Sequence, residues 1–136
     1  MFPTSTRILI IDDMPSIRDL VKNTLRAMGY TNLYEAEDGQ QGLKVLIENN
    51  QTEREIQLVI SDWNMPNMKG LELLKQVRAT AEWAQLPFVL LTSESERDQV
   101  TEAVLAGVSQ YIVKPFSAKI LEEKLKGAYA KHNKSS

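Results

Sequence analysis

The chain has 136 residues, a length that fits one domain, and 43% of them are hydrophobic, enough to bury a real core. A net charge of −2 argues against a nucleic-acid partner, and the apolar runs are too short to span a membrane. The N-terminus has no apolar leader segment, and the absence of cysteine excludes disulfides and thiolate metal sites, so we expect a cytoplasmic protein.

Strand and helix patterns alternate five times along the chain. The predicted elements of the first half, in chain order, are a strand at Ile8–Ile11, a helix from Pro15 that ends at Gly29, a weaker strand at Leu33–Ala36, a helix opened by Asp38 and Gly39 with Leu43, Leu46 and Ile47 on one face, and a strand at Leu58–Ile60. They are followed by a helix with Leu71, Leu74, Val77 and Arg78, a strand at Phe88–Leu91, a helix with Val100, Ala103 and Val104 that ends at Gly107, a strand at Tyr111–Val113 and a helix with Leu121, Leu125 and Ala128. Ser95 and Ser117 are predicted N-caps of the last two helices.

This alternation predicts an α/β fold, in which helices cover both faces of a parallel sheet. In such sheets, ligands bind at the carboxyl ends of the strands. Polar residues of functional type stand at the ends of four predicted strands: Asp12 and Asp13, Asp62, Thr92, and Lys114. We therefore expect these side chains to converge on one site.

The three carboxylates of this set predict a site for a hard cation, because all-oxygen ligation favours such ions. Mg²⁺ needs only one or two direct carboxylates, which Asp13 and Asp62 can provide, with Asp12 bound through water. The sequence has no dedicated calcium loop and no histidine or cysteine cluster for zinc. His132 lies in the polar tail, and we expect it to be solvated.

Asp62 is the predicted nucleophile of this site, because a carboxylate can form an acyl phosphate. Pro66 and the residues after it stand between Asp62 and the start of the next helix, so we do not expect Asp62 to cap that helix directly. Lys114 can neutralise phosphate oxygens, and the hydroxyl of Thr92 can donate a hydrogen bond to one of them. Each residue alone has an ordinary structural explanation, such as a solvated lysine or a turn threonine, so the prediction depends on the whole set.

The stretch from Asp62 to Met68, followed by Gly70–Leu74, resembles the phosphoacceptor loop of bacterial response-regulator receiver domains. Asp12-Asp13, Thr92 and Lys114-Pro115-Phe116 stand where that family has its site, and the resemblance covers about residues 7–129. It implies a flavodoxin-like, doubly wound parallel sheet of five strands in the order 2-1-3-4-5, with five helices. The family usually has a cis peptide bond before the residue that matches Pro115.

The resemblance also implies a role for each site residue. Asp62 accepts the phosphoryl group, Lys114 contacts it, Thr92 closes on it, and Tyr111 swings inward with Thr92. The resemblance places Mg²⁺ on Asp12, Asp13, Asp62 and the main-chain oxygen of Asn64. Asn64 and Glu94, two residues beyond Asp62 and Thr92, are implied to tune dephosphorylation.

Within that family the chain is most similar to single-domain chemotaxis response regulators. This implies one receiver domain over residues 1–136, with flexible ends at 1–6 and 131–136, and a monomer. The implied partners are a chemotaxis histidine kinase, a flagellar motor switch protein and a phosphatase, with no nucleic acid and no membrane. Lys69 and Ser93 depart from the family pattern, and the Asn49–Glu55 loop is longer than expected.

Other functions stay open at this point. A single-domain phosphorelay intermediate would pass the phosphoryl group to a histidine phosphotransfer domain. An aspartyl phosphohydrolase is disfavoured because Asn64 stands where the second aspartate of such enzymes is expected and because there is no cap domain. A flavin-binding protein is disfavoured because the loops after the strands lack a Ser/Thr-rich phosphate cradle.

Overall fold

The computed structural model describes residues 1–93 and 99–132. Their five strands are β1 (Ile8–Ile11), β2 (Leu33–Ala36), β3 (Leu58–Asp62), β4 (Phe88–Thr92) and β5 (Gln110–Val113). Their α-helices are α1 (Pro15–Ala27), α2 (Gly39–Asn49), α3 (Gly70–Ala79), α4 (Val100–Leu105) and α5 (Ala118–His132). A short 3₁₀-helix at Ala81–Trp83, which the sequence patterns do not predict, precedes β4.

The strands form one parallel sheet in the order β2-β1-β3-β4-β5, which confirms the predicted fold class and topology. β1 lies between β2 and β3, with Ile8 aligned to Leu33 on one side and to Leu58 on the other. Helices cover both faces of the sheet, so every residue of β1, β3 and β4 is buried. This burial on both faces explains why the sequences of these strands contain continuous apolar runs.

Each face of the sheet has its own hydrophobic cluster. On one face, alternate strand residues such as Leu9 and Val59 pack against Leu46 of α2 and Leu73 of α3. The other face packs its alternate strand residues against α1 and α5; these core residues are Ile8, Ile10, Leu58, Ile60, Val21, Leu25, Leu121 and Leu125. The alternation follows from the strand geometry, in which successive side chains point to opposite faces. Within the described residues, no helix is both long and apolar enough to cross a bilayer.

The structure differs from the helical patterns at a few apolar positions. Ile47 of α2 was expected on the buried face but is 60% exposed, and Val104 of α4 is 58% exposed.

The predicted end of α1 agrees with a φ of +102° at Gly29, a backbone conformation that glycine adopts at little cost. The predicted cap Ser95 lies outside the described residues.

The described residues of the two ends predicted as flexible, 1–6 and 131–132, make contacts with the domain. Phe2 is buried and packs edge-on against Tyr129 of α5, with ring centroids 5.1 Å apart. Thr6 donates a hydrogen bond to the carbonyl of Pro3 at 2.6 Å. His132, the last residue of α5, was expected to be solvated, but its Nε2 lies 2.6 Å from Ser109 Oγ. That expectation was wrong because the helix continues far enough to bring His132 back to the sheet.

Candidate functional site

The polar residues at the strand ends meet at the carboxyl edge of the sheet, as the sequence predicted. Asp12 follows β1 directly, Asp62 and Thr92 are the last residues of β3 and β4, and Lys114 follows β5. The amide of Lys114 donates a hydrogen bond to the carbonyl of Thr92 at 2.7 Å, which continues the ladder between the last two strands. The peptide bond between Lys114 and Pro115 is cis, as the resemblance implied.

Three carboxylates form the centre of the site. One oxygen from each of Asp12, Asp13 and Asp62 lies within 4.8 Å of the others. Asp12 and Asp62 are buried, whereas Asp13 is exposed. The site therefore combines two buried carboxylates with a third that is exposed to solvent.

Lys114 bridges the two enclosed carboxylates. Its Nζ lies 2.9 Å from Asp62 Oδ1 and 3.5 Å from Asp12 Oδ2. The side chain of Lys114 is only 21% exposed, so its pairing with Asp62 is little screened by solvent. This confirms the convergence of Lys114 with the carboxylates and rules out a freely solvated lysine.

Burial perturbs the pKa values of this group. Burial and the neighbouring charge of Asp12 raise the pKa of Asp62 to about 6, although the Lys114 ammonium and the Trp63 amide oppose the rise. Burial also raises the pKa of Asp12, against the hydrogen bond from the Met14 amide and the charge of Lys114. Burial alone would lower the pKa of Lys114, but its contacts with Asp62 and Asp12 outweigh burial and raise it.

This perturbation predicts a pH-dependent stability of the metal-free protein. A carboxyl whose pKa is about 6 in the folded state and near 4 in the unfolded state binds more protons when folded, so its contribution to stability falls as the pH rises from about 4 to 6. We expect Asp62→Asn to stabilise the metal-free protein by about 2 kcal/mol at pH 7.5, with little effect at pH 4. Thermal unfolding in the presence of a chelator measures this difference.

The control for this experiment is Asp19→Asn, which makes the same change at a carboxylate on α1 whose side chain is 66% exposed. It should shift stability little at either pH. A stabilisation by Asp62→Asn that is equal at pH 7.5 and pH 4 would contradict the electrostatic origin of the effect.

The loop after β3 is held in a defined conformation. The Trp63 amide donates to Asp62 Oδ1 at 2.9 Å, and the Gly70 amide donates to the Trp63 carbonyl at 2.9 Å, which closes the loop. Trp63 packs into the core, whereas Asn64 is exposed at the outer side of the loop. The Asn64 side chain therefore has free access to solvent near Asp62.

Thr92 and Tyr111 occupy two different environments. Thr92 is completely buried, and its Oγ1 has no hydrogen-bond partner within residues 1–93 and 99–132. The Tyr111 ring is half-buried, and Lys124 Nζ lies 5.0 Å from its centroid, within the range of a cation–π contact. A buried hydroxyl without a partner costs free energy, so an acceptor that reached Thr92 would be favoured. Glu94, the other predicted tuning residue, lies outside the described residues.

Several residues near the site were not assigned to it by sequence reasoning. Arg18 of α1 donates to the main-chain carbonyl of Asp12 at 2.6 Å and to Glu35 at 3.1 Å. Asp38, predicted only to open α2, accepts a hydrogen bond from Asn67 of the loop after β3. The contacts of Arg18 with Glu35 and of Asn67 with Asp38 have no short-range sequence signal, because they join residues 17 and 29 positions apart in the chain.

The donor set fits a hard cation. It offers carboxylate oxygens from Asp12, Asp13 and Asp62, one of them exposed to incoming solvent, and no nitrogen or sulfur donor. This matches the preference of Mg²⁺ for oxygen ligands and retained waters. A divalent ion would also relieve the repulsion by Asp12, which adds to the effect of burial in raising the pKa of Asp62.

Comparison with known proteins identifies relatives of the whole domain. The family model for the response regulator receiver domain matches residues 8–126. The chain is 42% identical to the chemotaxis protein CheY of Pseudomonas aeruginosa, over 93% of this chain and 98% of the relative. It is 46% identical to CheY-3 of Vibrio cholerae, over 88% of each chain. The structure of the V. cholerae chemotaxis response regulator CheY4 superimposes with a TM-score of 0.78 at 31% identity, covering 91% of this chain and 98% of that one.

Proposed function

Because this chain belongs to the response regulator receiver domain family and is of the CheY type, we propose that it accepts a phosphoryl group on Asp62 from a chemotaxis histidine kinase. Receiver domains of this type act as phosphoacceptor switches in two-component signalling. The observation that carries the proposal is the position of Asp62, which is buried at the end of β3 between Lys114 and two further carboxylates.

The proposed transfer is a displacement at phosphorus. A carboxylate oxygen of Asp62 forms a bond to the phosphorus as the bond from phosphorus to the histidine nitrogen breaks, and the freed imidazole keeps the electron pair. Lys114, 2.9 Å from Asp62 Oδ1, is close enough to pair with an oxygen of the transferred group. Most of the catalysis in such a site comes from positioning and charge stabilisation.

Asp12, Asp13, Asp62 and the main-chain oxygen of Asn64 are the residues proposed to hold Mg²⁺. When bound, the ion supplies positive charge that offsets the charge of the phosphoryl oxygens. Asp12 is well prepared for this role, because its Oδ1 is fixed by the Met14 amide at 2.9 Å and its carbonyl by Arg18.

The lifetime of the phosphoryl group is proposed to depend on Asn64 and Glu94, in a domain that catalyses its own phosphorylation and dephosphorylation. The exposure of Asn64 supports this role, since its side chain can order or obstruct the attacking water. A dedicated phosphatase is a further proposed partner.

The proposed output is binding of the phosphorylated domain to a flagellar motor switch protein, which alters rotation. The phosphorylated Asp62 offers acceptor oxygens at the end of β3, which pairs with β4 so that Asp62 is aligned with Leu91, next to Thr92. The Oγ1 of Thr92 has no hydrogen-bond partner in the part of the chain that the structure describes, and Tyr111 is proposed to move inward with Thr92. β4 and β5 pair side by side, with Leu90 aligned to Tyr111, so a shift of Thr92 reaches the strand that carries Tyr111.

The proposed output surface comprises α4, β5 and α5. Three of its apolar side chains are exposed: Leu105 is 83% exposed, Val104 58% and Ile120 40%. A partner protein that covered them would remove apolar surface from water, which favours association. The proposed surface also includes residues 96–98, which lie outside the described residues.

The binding experiment for this proposal uses a labelled motor-switch peptide and fluorescence anisotropy. We expect the beryllofluoride mimic of phosphorylation to tighten binding tenfold or more, because two charge-assisted hydrogen bonds of about 1.5–3 kcal/mol each bias the switch. Thr92→Ala should still accept a phosphoryl group but lose most of the tightening.

The control is Thr80→Ala, which removes an exposed hydroxyl that donates to the carbonyl of Gln76 on α3 and is not part of the proposed output surface. It should leave the tightening unchanged. Equal affinity of the peptide for the mimic-bound and free protein would refute motor binding. It would favour a phosphorelay intermediate, for which transfer of the phosphoryl group from Asp62 to a histidine phosphotransfer domain is the direct test.

A further inference from the structure

A single buried carboxylate joins α2 to the loop that follows Asp62. Asp38, the N-cap of α2, accepts a hydrogen bond from the Gln41 amide through Oδ1 at 2.8 Å. Its other oxygen, Oδ2, accepts a hydrogen bond from Asn67 Nδ2 at 2.7 Å. Asp38 is only 5% exposed, so both bonds are shielded from water. The helix cap explains only one of these two contacts.

A second contact brings the same two segments together. The Gly39 amide donates to the carbonyl of Met68 at 3.1 Å. The approach is so close that a Cβ on Gly39 would lie 2.5 Å from that carbonyl oxygen, which no other residue type tolerates without a shift. Asn67 itself has a φ of +66°, a strained conformation for a residue with a side chain. The carboxylate of Asp38 therefore holds the loop at its most strained residue.

The position of the loop matters because it carries part of the phosphoacceptor site. The hydrogen bond from the Gly70 amide to the Trp63 carbonyl closes the loop, so a contact at Asn67 constrains the same closed turn that contains Asn64. It includes Asn64, whose main-chain oxygen is a proposed metal ligand. Asp38 is also close in the chain to β2, which pairs with β1 so that Ala36 is aligned with Ile11, the residue before Asp12. Asp38 thus connects the end of the β2–β1 pair, where Asp12 lies, to the loop that follows Asp62.

We propose that Asp38 is a positioning residue for the phosphoacceptor site, acting through Asn67 to fix the loop that carries Asn64. This inference rests on the proposed function of Asp62 as phosphoacceptor. Asp38 does not contact the phosphoryl group or the metal. It sets the distance between the proposed ligand on the loop and the carboxylates at the end of the sheet. Removal of a residue that orients a metal ligand through hydrogen bonds typically lowers metal affinity or activity by about 10–100-fold.

Two single variants separate this role from helix capping. Asp38→Ser retains a good N-cap but is too short to reach Asn67. Asn67→Gly removes the hydrogen-bond donor and accepts the positive φ without strain. Neither variant alters a proposed ligand. If Asp38 had a purely structural role, its replacement would lower thermal stability without changing the chemistry of the site. The experiment must therefore measure the reactivity of Asp62 and not stability alone.

A double variant tests whether restoring the hydrogen bond between positions 38 and 67 also restores the function of the site. In the combination of Asp38→Asn and Asn67→Asp, the amide at position 38 donates to the carboxylate at position 67, and its oxygen still caps the Gln41 amide. The pair keeps its charge and its hydrogen bond, with the direction of donation reversed. Such a swap isolates the pairwise interaction, as in a double-mutant cycle.

The experiment measures the rate at which acetyl phosphate labels Asp62 at saturating Mg²⁺. We expect each single variant to be about tenfold slower than the wild type and the swapped double variant to be within about twofold of it. Glu48→Ser, which removes an exposed carboxylate elsewhere on α2, is the matched control and should label at the wild-type rate. Thermal unfolding verifies that each variant is folded under the assay conditions.

Labelling of both single variants at the wild-type rate would overturn the positioning role, and so would a folded swapped variant that remains as slow as the singles. If the wild type itself does not label, the proposed function fails, and Mg²⁺ affinity measured through Trp63 fluorescence still decides the inference. In that case, single variants with about tenfold weaker affinity support it, and unchanged affinity refutes it.

Discussion

Asp62→Asn should abolish covalent labelling by acetyl phosphate, while the wild type is labelled only when Mg²⁺ is present. The amide is nearly the same size as the carboxylate, so the fold should persist, but an amide is not a nucleophile that can form an acyl phosphate. Asp62 is also the only one of the three clustered carboxylates with an oxygen within 3 Å of Lys114. Reduction of the acyl phosphate with borohydride, followed by mass spectrometry, identifies the labelled residue.

Asp19→Asn is again the matched control, because it changes an exposed carboxylate of α1 into an amide without touching the cluster. It should be labelled to the same extent as the wild type. Label on the peptide that contains residue 62 in the Asp62→Asn variant would move the phosphoacceptor to another residue. The same outcome would remove the basis of the proposed switch.

The second large effect is expected for metal binding. Asp13→Ala should weaken Mg²⁺ binding by about a hundredfold or more, since loss of a supporting partner alone typically costs 10–100-fold and Asp13 is a proposed ligand. Asp13 is the exposed member of the cluster, so its removal leaves no buried group unpaired and should cost little stability. Trp63 fluorescence provides the readout, because the Trp63 amide is hydrogen-bonded to Asp62 Oδ1.

Asp19→Ala is the control for this titration, because it removes a nearby negative charge of the same type that is not part of the cluster. Its affinity should fall only slightly, as expected for a solvent-screened charge. An Mg²⁺ affinity of Asp13→Ala equal to that of the wild type would exclude Asp13 as a ligand and disprove the proposed metal site.

Much of this fold was predictable because the information is local. Runs such as Ile8–Ile11 and Leu58–Ile60 indicate strands buried on both faces, and the general rule for parallel sheets then places Asp12, Asp62 and Lys114 at one edge. The order of the strands came from the family resemblance, since alternation alone does not select one order among several.

The remaining features depend on contacts between distant parts of the chain. The link from Asp38 to Asn67 spans 29 residues, and the contact between Ser109 and His132 spans 23. Asp38 was correctly predicted to open α2, but its hydrogen bond with Asn67 follows from the packing of α2 beside the loop. The burial that raises the pKa of Asp62 to about 6 is likewise a property of the assembled sheet.

The central position of β1 has a consequence for the folding of the nascent chain. β1 is synthesised before β3, with which one of its two edges pairs. Ile8 of β1 therefore has no partner on that edge until Leu58 of β3 has left the ribosome. Until then, a wholly apolar strand has an open edge, which is a template for pairing with other chains. Such long-range parallel pairing is intrinsically slow. Synthesis that stalls before Leu58 therefore leaves an intermediate prone to aggregation, and chaperone protection is most valuable in that interval.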